Sequence, residues 1–174
     1  MGGVQSSWAG AMKLSRKAKR YDDAVLPGDF QGFESFRDGD PQRNGVLHGA
    51  IRRTGAVVEL GQLSLEWLSA KKQTFARLKS QAEQLTRQIT YLDEHLEIVD
   101  HDRRGMYIQL RSIPPYKDDL QIQFNEICLG RDRVDLKRIA FYRRDEVKQQ
   151  VPLNLTEGDL ERLISDLRQL LSLA

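Results

Sequence analysis

The sequence predicts an α+β protein: a long heptad-repeat helix followed by a four-stranded antiparallel meander and a C-terminal amphipathic helix, with a largely disordered N-terminal arm. Three observations predict it. From Phe75 to Val99 the apolar residues recur at alternating spacings of three and four; after Gly105 the spacing becomes two; after Thr156 it returns to three and four. The expected divisions are an arm over residues 1–60, a coiled-coil-like helix over 61–103 and a small α+β head over 105–174.

The arm is rich in glycine and has no sustained periodicity, which predicts loop or disorder and a chain dispensable for folding before about residue 56. Its charges are sorted. Residues 1–20 carry Lys13, Arg16, Lys17, Lys19 and Arg20 without an acid, whereas residues 21–42 carry Asp22, Asp23, Asp29, Glu34, Asp38 and Asp40 against Arg37. Phe30, Phe33 and Phe36 recur at intervals of three, as in a docking turn of helix.

The seam of the helix runs through Phe75, Leu78, Ala82, Leu85, Ile89, Leu92, Leu96 and Val99. Begun between Gly61 and Ser64 and ended by Asp100-His101-Asp102 and Gly105, it would extend for about 60 Å at 1.5 Å per residue. Such a seam packs either on the chain's own sheet or on another chain. The remaining residues cannot cover a helix of that length, so Phe75, Leu78, Leu85, Ile89, Leu92 and Leu96 are the candidate self-association residues.

In the head, Met106, Ile108 and Leu110 alternate with polar neighbours, as do Leu120, Ile122 and Phe124. The parity then slips at Ile127 and Leu129, which predicts a bulge near Asn125 and Glu126. Two further strands are expected at about residues 133–143 and 146–153, joined at Arg144-Asp145. The connections are short and marked by Pro114-Pro115, Gly130-Arg131-Asp132 and Arg144-Asp145, so neighbouring strands must be antiparallel. Thr156 with Asp159 three residues on has the form of a capping box, and Leu160, Leu163, Leu167 and Leu170 supply the stripe that should cover one sheet face.

Composition narrows the function classes. Lys plus Arg number 27 against 25 Asp plus Glu in 174 residues, a net charge of +2, so an electrostatic partner must be met by a local patch. One cysteine, Cys128, offers neither a disulfide nor a cysteine-based zinc site, and no apolar run reaches the roughly 20 residues of a membrane-spanning helix. The expected location is intracellular, in the cytoplasm. No phosphate-binding glycine loop and no metalloprotease or hydrolase motif occurs. Asp100-His101-Asp102 reads as a helix terminus, since adjacent helical side chains diverge too far to share an ion, and Cys128 as a buried inert thiol. No catalytic residue, metal or cofactor is expected, and the chain is read as not an enzyme.

Two signals point outward. Met1 to Ser6 fits a myristoylation pattern with Gly2 as acceptor, and the basic cluster behind it would supply the second signal that stable attachment to a membrane surface requires. The strands carry arginines and tyrosines, of which Arg138, Arg143, Tyr107 and Tyr142 are the candidate nucleic-acid contacts. The order of four strands and a C-terminal helix is similar to that of the single-strand-binding domain of positive-cofactor-type transcriptional coactivators, over about 65 residues and without a shared motif. The sequence therefore leads to a non-catalytic interaction or adaptor protein, a homo-oligomer with an unidentified protein partner. The alternative is a dimer that binds single-stranded nucleic acid through the open sheet face and the basic arm.

Overall fold

The computed structural model describes residues 25–68 and 73–173. Among these described residues, eleven strands and two helices follow in the order β1 (Val25–Leu26), β2 (Glu34–Asp40), β3 (Gly45–Thr54), β4 (Val57–Glu66), α1 (Phe75–Gln88), β5 (Leu96–Asp102), β6 (Tyr107–Ser112), β7 (Tyr116–Lys117), β8 (Gln121–Leu129), β9 (Arg133–Tyr142), β10 (Val147–Val151), β11 (Leu153–Leu155) and α2 (Glu157–Leu173). The spine is an antiparallel sheet in the order β2-β3-β4-β9-β8-β6-β5. It forks at β4 and β9. Residues 63–66 of β4 pair with residues 133–136 of β9, whereas Val58 and Leu60 pair with β11 and residues 138–142 of β9 pair with β10. Pro152, which has no amide proton, separates β10 from β11 where the chain passes from one branch to the other.

The long helix is not there. Its expected span is divided among β4, the 14-residue α1 and β5. Thr74 starts α1 by accepting the Arg77 amide at its side-chain oxygen over 3.2 Å. Ile89 ends it as the C-cap, and Asp93 then takes a φ of 52° in the turn that leads to β5. Phe75, Leu78, Ala82 and Leu85 are helical, Ile89 and Leu92 point inward from the connection, and Leu96 opens a strand. A 3–4 spacing requires only that each residue face one core, and helix, turn and strand in succession satisfy it as well as one helix does. Leu78, Leu85, Ile89 and Leu96 are 0% exposed and Leu92 3%, all within the chain's own core, and Phe75 packs against its edge. The seam is therefore packed mainly within the chain's own core and not along a long heptad helix.

The disordered arm, from residue 25 onward, and the four-stranded meander are overturned as well; residues 1–24 of the arm lie outside the described residues. Residues 25–54 contain β1 to β3, and Val46 and Leu47 are buried core residues. Gly61 is an extra residue in β4, where Ala50 pairs with Gln62 and Ile51 with Leu60, and this bulge hides the alternation of Val58 and Leu60 with Leu63 and Leu65. A Cβ there would lie 3.1 Å from the Phe30 ring, so any larger residue would have to displace that ring by a few tenths of an ångström. Phe33 stacks beside Phe30 at 5.2 Å, so these aromatics hold the loop from β1 to β2 rather than a helical turn. The seven-stranded spine likewise departs from the four-stranded coactivator order.

No bulge occurs in β8, whose register with β9 is unbroken from Gln121 to Leu129. The parity slip has another cause. Ile127 and Leu129 face α1 and α2 in the main core, whereas Phe124 lies on the other face, where its cross-strand neighbour Ile139 is also buried. Both helices cover one face of the sheet: Leu78, Ala82 and Leu85 of α1 and Leu160, Leu163, Leu167 and Leu170 of α2 pack on Leu63, Leu65, Leu110, Ile127 and Leu136. Among the described residues, no helix is long and apolar enough to cross a membrane.

Candidate functional site

Strand alternation gives the face away from the helices a different chemistry. Cross-strand register sets His48, Ser64, Asp135, Cys128, Gln109 and Asp100 side by side on six adjacent strands. The next row is Lys137, Glu126, Arg111 and Glu97, an alternation of charge across four strands. Directly opposed unlike charges attract, so this row favours one register over its neighbours.

Two carboxylates in these rows are buried. Glu126, 2% exposed, accepts from Gln109 Nε2 at 2.7 Å, with Arg111 Nη2 at 3.8 Å and Lys137 Nζ at 3.9 Å. Asp135 accepts from Ser64 Oγ at 2.5 Å and from Arg133 through Nε and Nη2 at 3.0 Å each. Burial nevertheless holds the Asp135 carboxyl above its usual value, and the Arg133 and Ser64 contacts offset only part of that. Cys128 lies between the two, with Glu126 Oε1 3.8 Å and the Tyr107 hydroxyl 3.7 Å from its sulfur. Burial first, and then the Glu126 charge, push its thiol well up, so it stays protonated and is a poor nucleophile. The Tyr107 hydroxyl is pushed up in the same way. The Lys148 ammonium is pulled down by burial and by Arg111. A thiol and two carboxylates thus meet in a buried polar network that ties β4, β6, β8 and β9 together.

The residues singled out from sequence scatter. Tyr107 is in this network and 1% exposed, whereas Arg138 is on the helix side, bound to Gln123 Oε1 and Asn125 Oδ1 at 2.8 Å each and to Glu94 Oε1 at 3.2 Å. Tyr142 is half-buried opposite Gln121, and Arg143 is exposed in the β9–β10 turn. Arg138 and Tyr107 are therefore on opposite faces, and Arg143 and Tyr142 are at one end. Gly2 and the basic cluster at residues 13–20 lie outside the described residues. Asp100, His101 and Asp102 lie in β5, not at a helix terminus; Asp100 and Asp102 oppose Gln109 and Tyr107, while His101 opposes Ile108 and stacks on Phe75 at 5.5 Å. Among the described residues no group of three or more His, Cys, Asp or Glu could hold a metal ion.

A feature that the sequence did not single out is the segment between β6 and β8. Ile113, Tyr116 and Leu120 are exposed by 39%, 46% and 73%. Asp118 braces the turn that carries Leu120, accepting from the Leu120 and Gln121 amides at 2.8 and 2.9 Å and from the Tyr116 hydroxyl at 2.9 Å. The two amide bonds are the main reason that its carboxyl is held below the usual value. The Arg143 amide donates to the Leu120 carbonyl at 3.0 Å, which brings the β9–β10 turn alongside.

No protein-family model matches the chain, and no curated protein or solved structure is significantly similar to it.

Proposed function

We propose that the chain is a non-catalytic interaction protein whose contact surface is the end of the sheet that carries Ile113, Tyr116 and Leu120. The observation behind this reading is that three large apolar side chains stand in solvent within eight residues, the most exposed of them, Leu120, on a turn braced by hydrogen bonds. Exposed apolar patches mark contact sites, and burying one leucine against a partner yields about 1.5–3 kcal/mol. The pairing of Glu126 and Asp135 and the sealing of Cys128 support the absence of catalysis. The single unpaired cysteine favours a reducing compartment, hence the cytoplasm. The basic residues 13–20 act as a second contact, with acylation at Gly2 as the route to a membrane surface. In the test, full-length wild type and Leu120→Asp, matched for melting temperature, are used as bait in extract of the source cells. A protein retained by the wild type and lost with Leu120→Asp is expected; identical captures would overturn the reading.

A second reading, binding of single-stranded nucleic acid, keeps support at the same end, where Tyr142 and Arg143 adjoin the Leu120 turn. It requires oligonucleotide binding whose salt slope is about 0.7 per phosphate contact and falls in Arg143→Ala. Failure to bind at low salt removes it.

A further inference from the structure

The two ends of the sheet are closed differently. At one, the register of β5 with β6 breaks at Val99, a bulge that spoils an edge for further pairing. At the other, β2 pairs with β3 in unbroken register over all seven residues, and β3 is its sole partner among the described strands. Every residue of β2 except the half-buried Phe36 is exposed.

Beside that open edge runs α2. Glu157 at its start contacts Arg53 of β3, and Arg168 Nη2 lies 3.5 Å from Asp38 Oδ2 of β2, so side chains from both ends of the helix reach the last two strands of the sheet. Glu161, Ile164, Ser165 and Arg168 line an open groove of about 540 Å³ on this helix. A strand added to β2 would continue the sheet beside α2, and its alternate side chains would enter the groove. Main-chain bonds to an edge with pockets for every second side chain are how strand addition combines affinity with selectivity.

Charge identifies the occupant. Phe36 packs on the main core, so alternation puts Glu34, Asp38 and Asp40 on the helix side with it; Arg168 offsets Asp38 and Arg53 acts on Glu34, while Asp40 has no cation among its contacts with the described residues, so this side of the strand stays acidic on balance. A second copy of β2 is a poor fit. Two-fold antiparallel pairing centred on Arg37 sets Arg37 against Arg37 and Glu34 against Asp40; centred on Phe36 it sets Glu34 against Asp38, and centred on Asp38 it sets that residue against itself.

We propose that β2 is a docking edge for an extended, basic peptide segment of a partner protein, which adds to the sheet as a further strand and places alternate side chains in the α2 groove. This surface is separate from the Leu120 end, and Leu120→Asp leaves it intact.

The test uses the full-length chain and a capped ten-residue peptide of alternating lysine and valine, followed by nuclear magnetic resonance. Shifts should be confined to residues 34–40 and 161–168. Methylating alternate peptide nitrogens removes ladder donors but not charge and should weaken binding about tenfold or more, since each tenfold step corresponds to 1.4 kcal/mol, roughly one net hydrogen bond. Asp38→Lys with Asp40→Lys should weaken it similarly, and a glutamate–valine peptide should not bind. Equal binding of the methylated and parent peptides would reduce the effect to charge attraction and overturn the proposal. So would shifts centred elsewhere, or β2 amides already protected from hydrogen exchange in the free chain, which would mean that the chain occupies its own edge. The methylated peptide is tested on wild type, so the proposal remains open to refutation if the charge-reversed variant fails to fold. A null result with Leu120→Asp in extract alongside a positive titration would separate the two surfaces.

Discussion

Gln81 of α1 donates from Nε2 to the main-chain carbonyl of Leu170 in α2 over 3.1 Å, and both residues are fully buried. Its side-chain oxygen accepts from Gln73 Nε2 at 3.0 Å, so one amide joins the two helices and the entry to α1. Gln81→Leu should fill the space but strand the Leu170 carbonyl and the Gln73 amide, at a cost of about 1–3 kcal/mol. Urea unfolding measures it, and an unchanged midpoint would show that the bond contributes nothing.

Leu85→Asp and Leu92→Asp test where the 3–4 seam packs. A carboxylate at either position would be buried without a partner, which costs several kcal/mol. Cooperative thermal unfolding should be lost in both. A folded variant that merely changes its mass in light scattering would put the seam back between chains.

The N-terminal strands are integral to the core. Leu47→Asp should abolish the thermal transition, because Leu47 is 4% exposed and packs in the main cluster. A chain that begins near Gly55 would lose β1 to β3 and should not unfold cooperatively. Retention of the wild-type transition by either protein would show that β4 closes the sheet alone.

Asp135 makes stability depend on pH in a direction opposite to that of most carboxylates. Its folded-state pKa is raised, chiefly by burial, so the folded chain holds this proton more tightly than the unfolded chain does. Its contribution is fully present below the usual aspartate value of about 3.9 and is lost as pH rises through the raised value. Relative to wild type, Asp135→Asn should therefore gain stability as pH rises through that window. Parallel curves for the two proteins in urea would rule this out.

How much of this was legible in the sequence depends on the range of the interactions. The alternation of Ile108 and Leu110 coincides with β6, and Thr156 with Asp159 marks the start of α2, where the Asp159 amide donates to Thr156 Oγ1 at 3.1 Å. These are local signals. The alternation in β4 was hidden by Gly61, whose extra residue serves Phe30 from another part of the chain. The apolar switch in β8 mimicked a bulge because its large aliphatic and aromatic side chains pass from one face, at Phe124, to the other, at Ile127 and Leu129, while the register stays regular. The meeting of Ser64 with Asp135 depends on register between residues 71 apart in sequence, which no local pattern encodes, and that of Gln109 with Glu126 on how the chain between β6 and β8 sets their register. For the same reason the free edge at β2 could not be read: an edge is defined by the neighbour a strand lacks.

The fork of the sheet has a consequence for synthesis. Leu63 pairs with Leu136 and Leu60 with Leu153, so both stretches of β4 find their β9 and β11 partners in segments that follow much later. The hairpins β2–β3 and β3–β4 can form as soon as they leave the ribosome, but the far side of β4 then stays open on the order of several seconds at about 5–20 residues per second. During that interval the nascent chain presents Leu60, Leu63 and Leu65 along an unpaired strand, and it is at this stage that a chaperone would have most to shield.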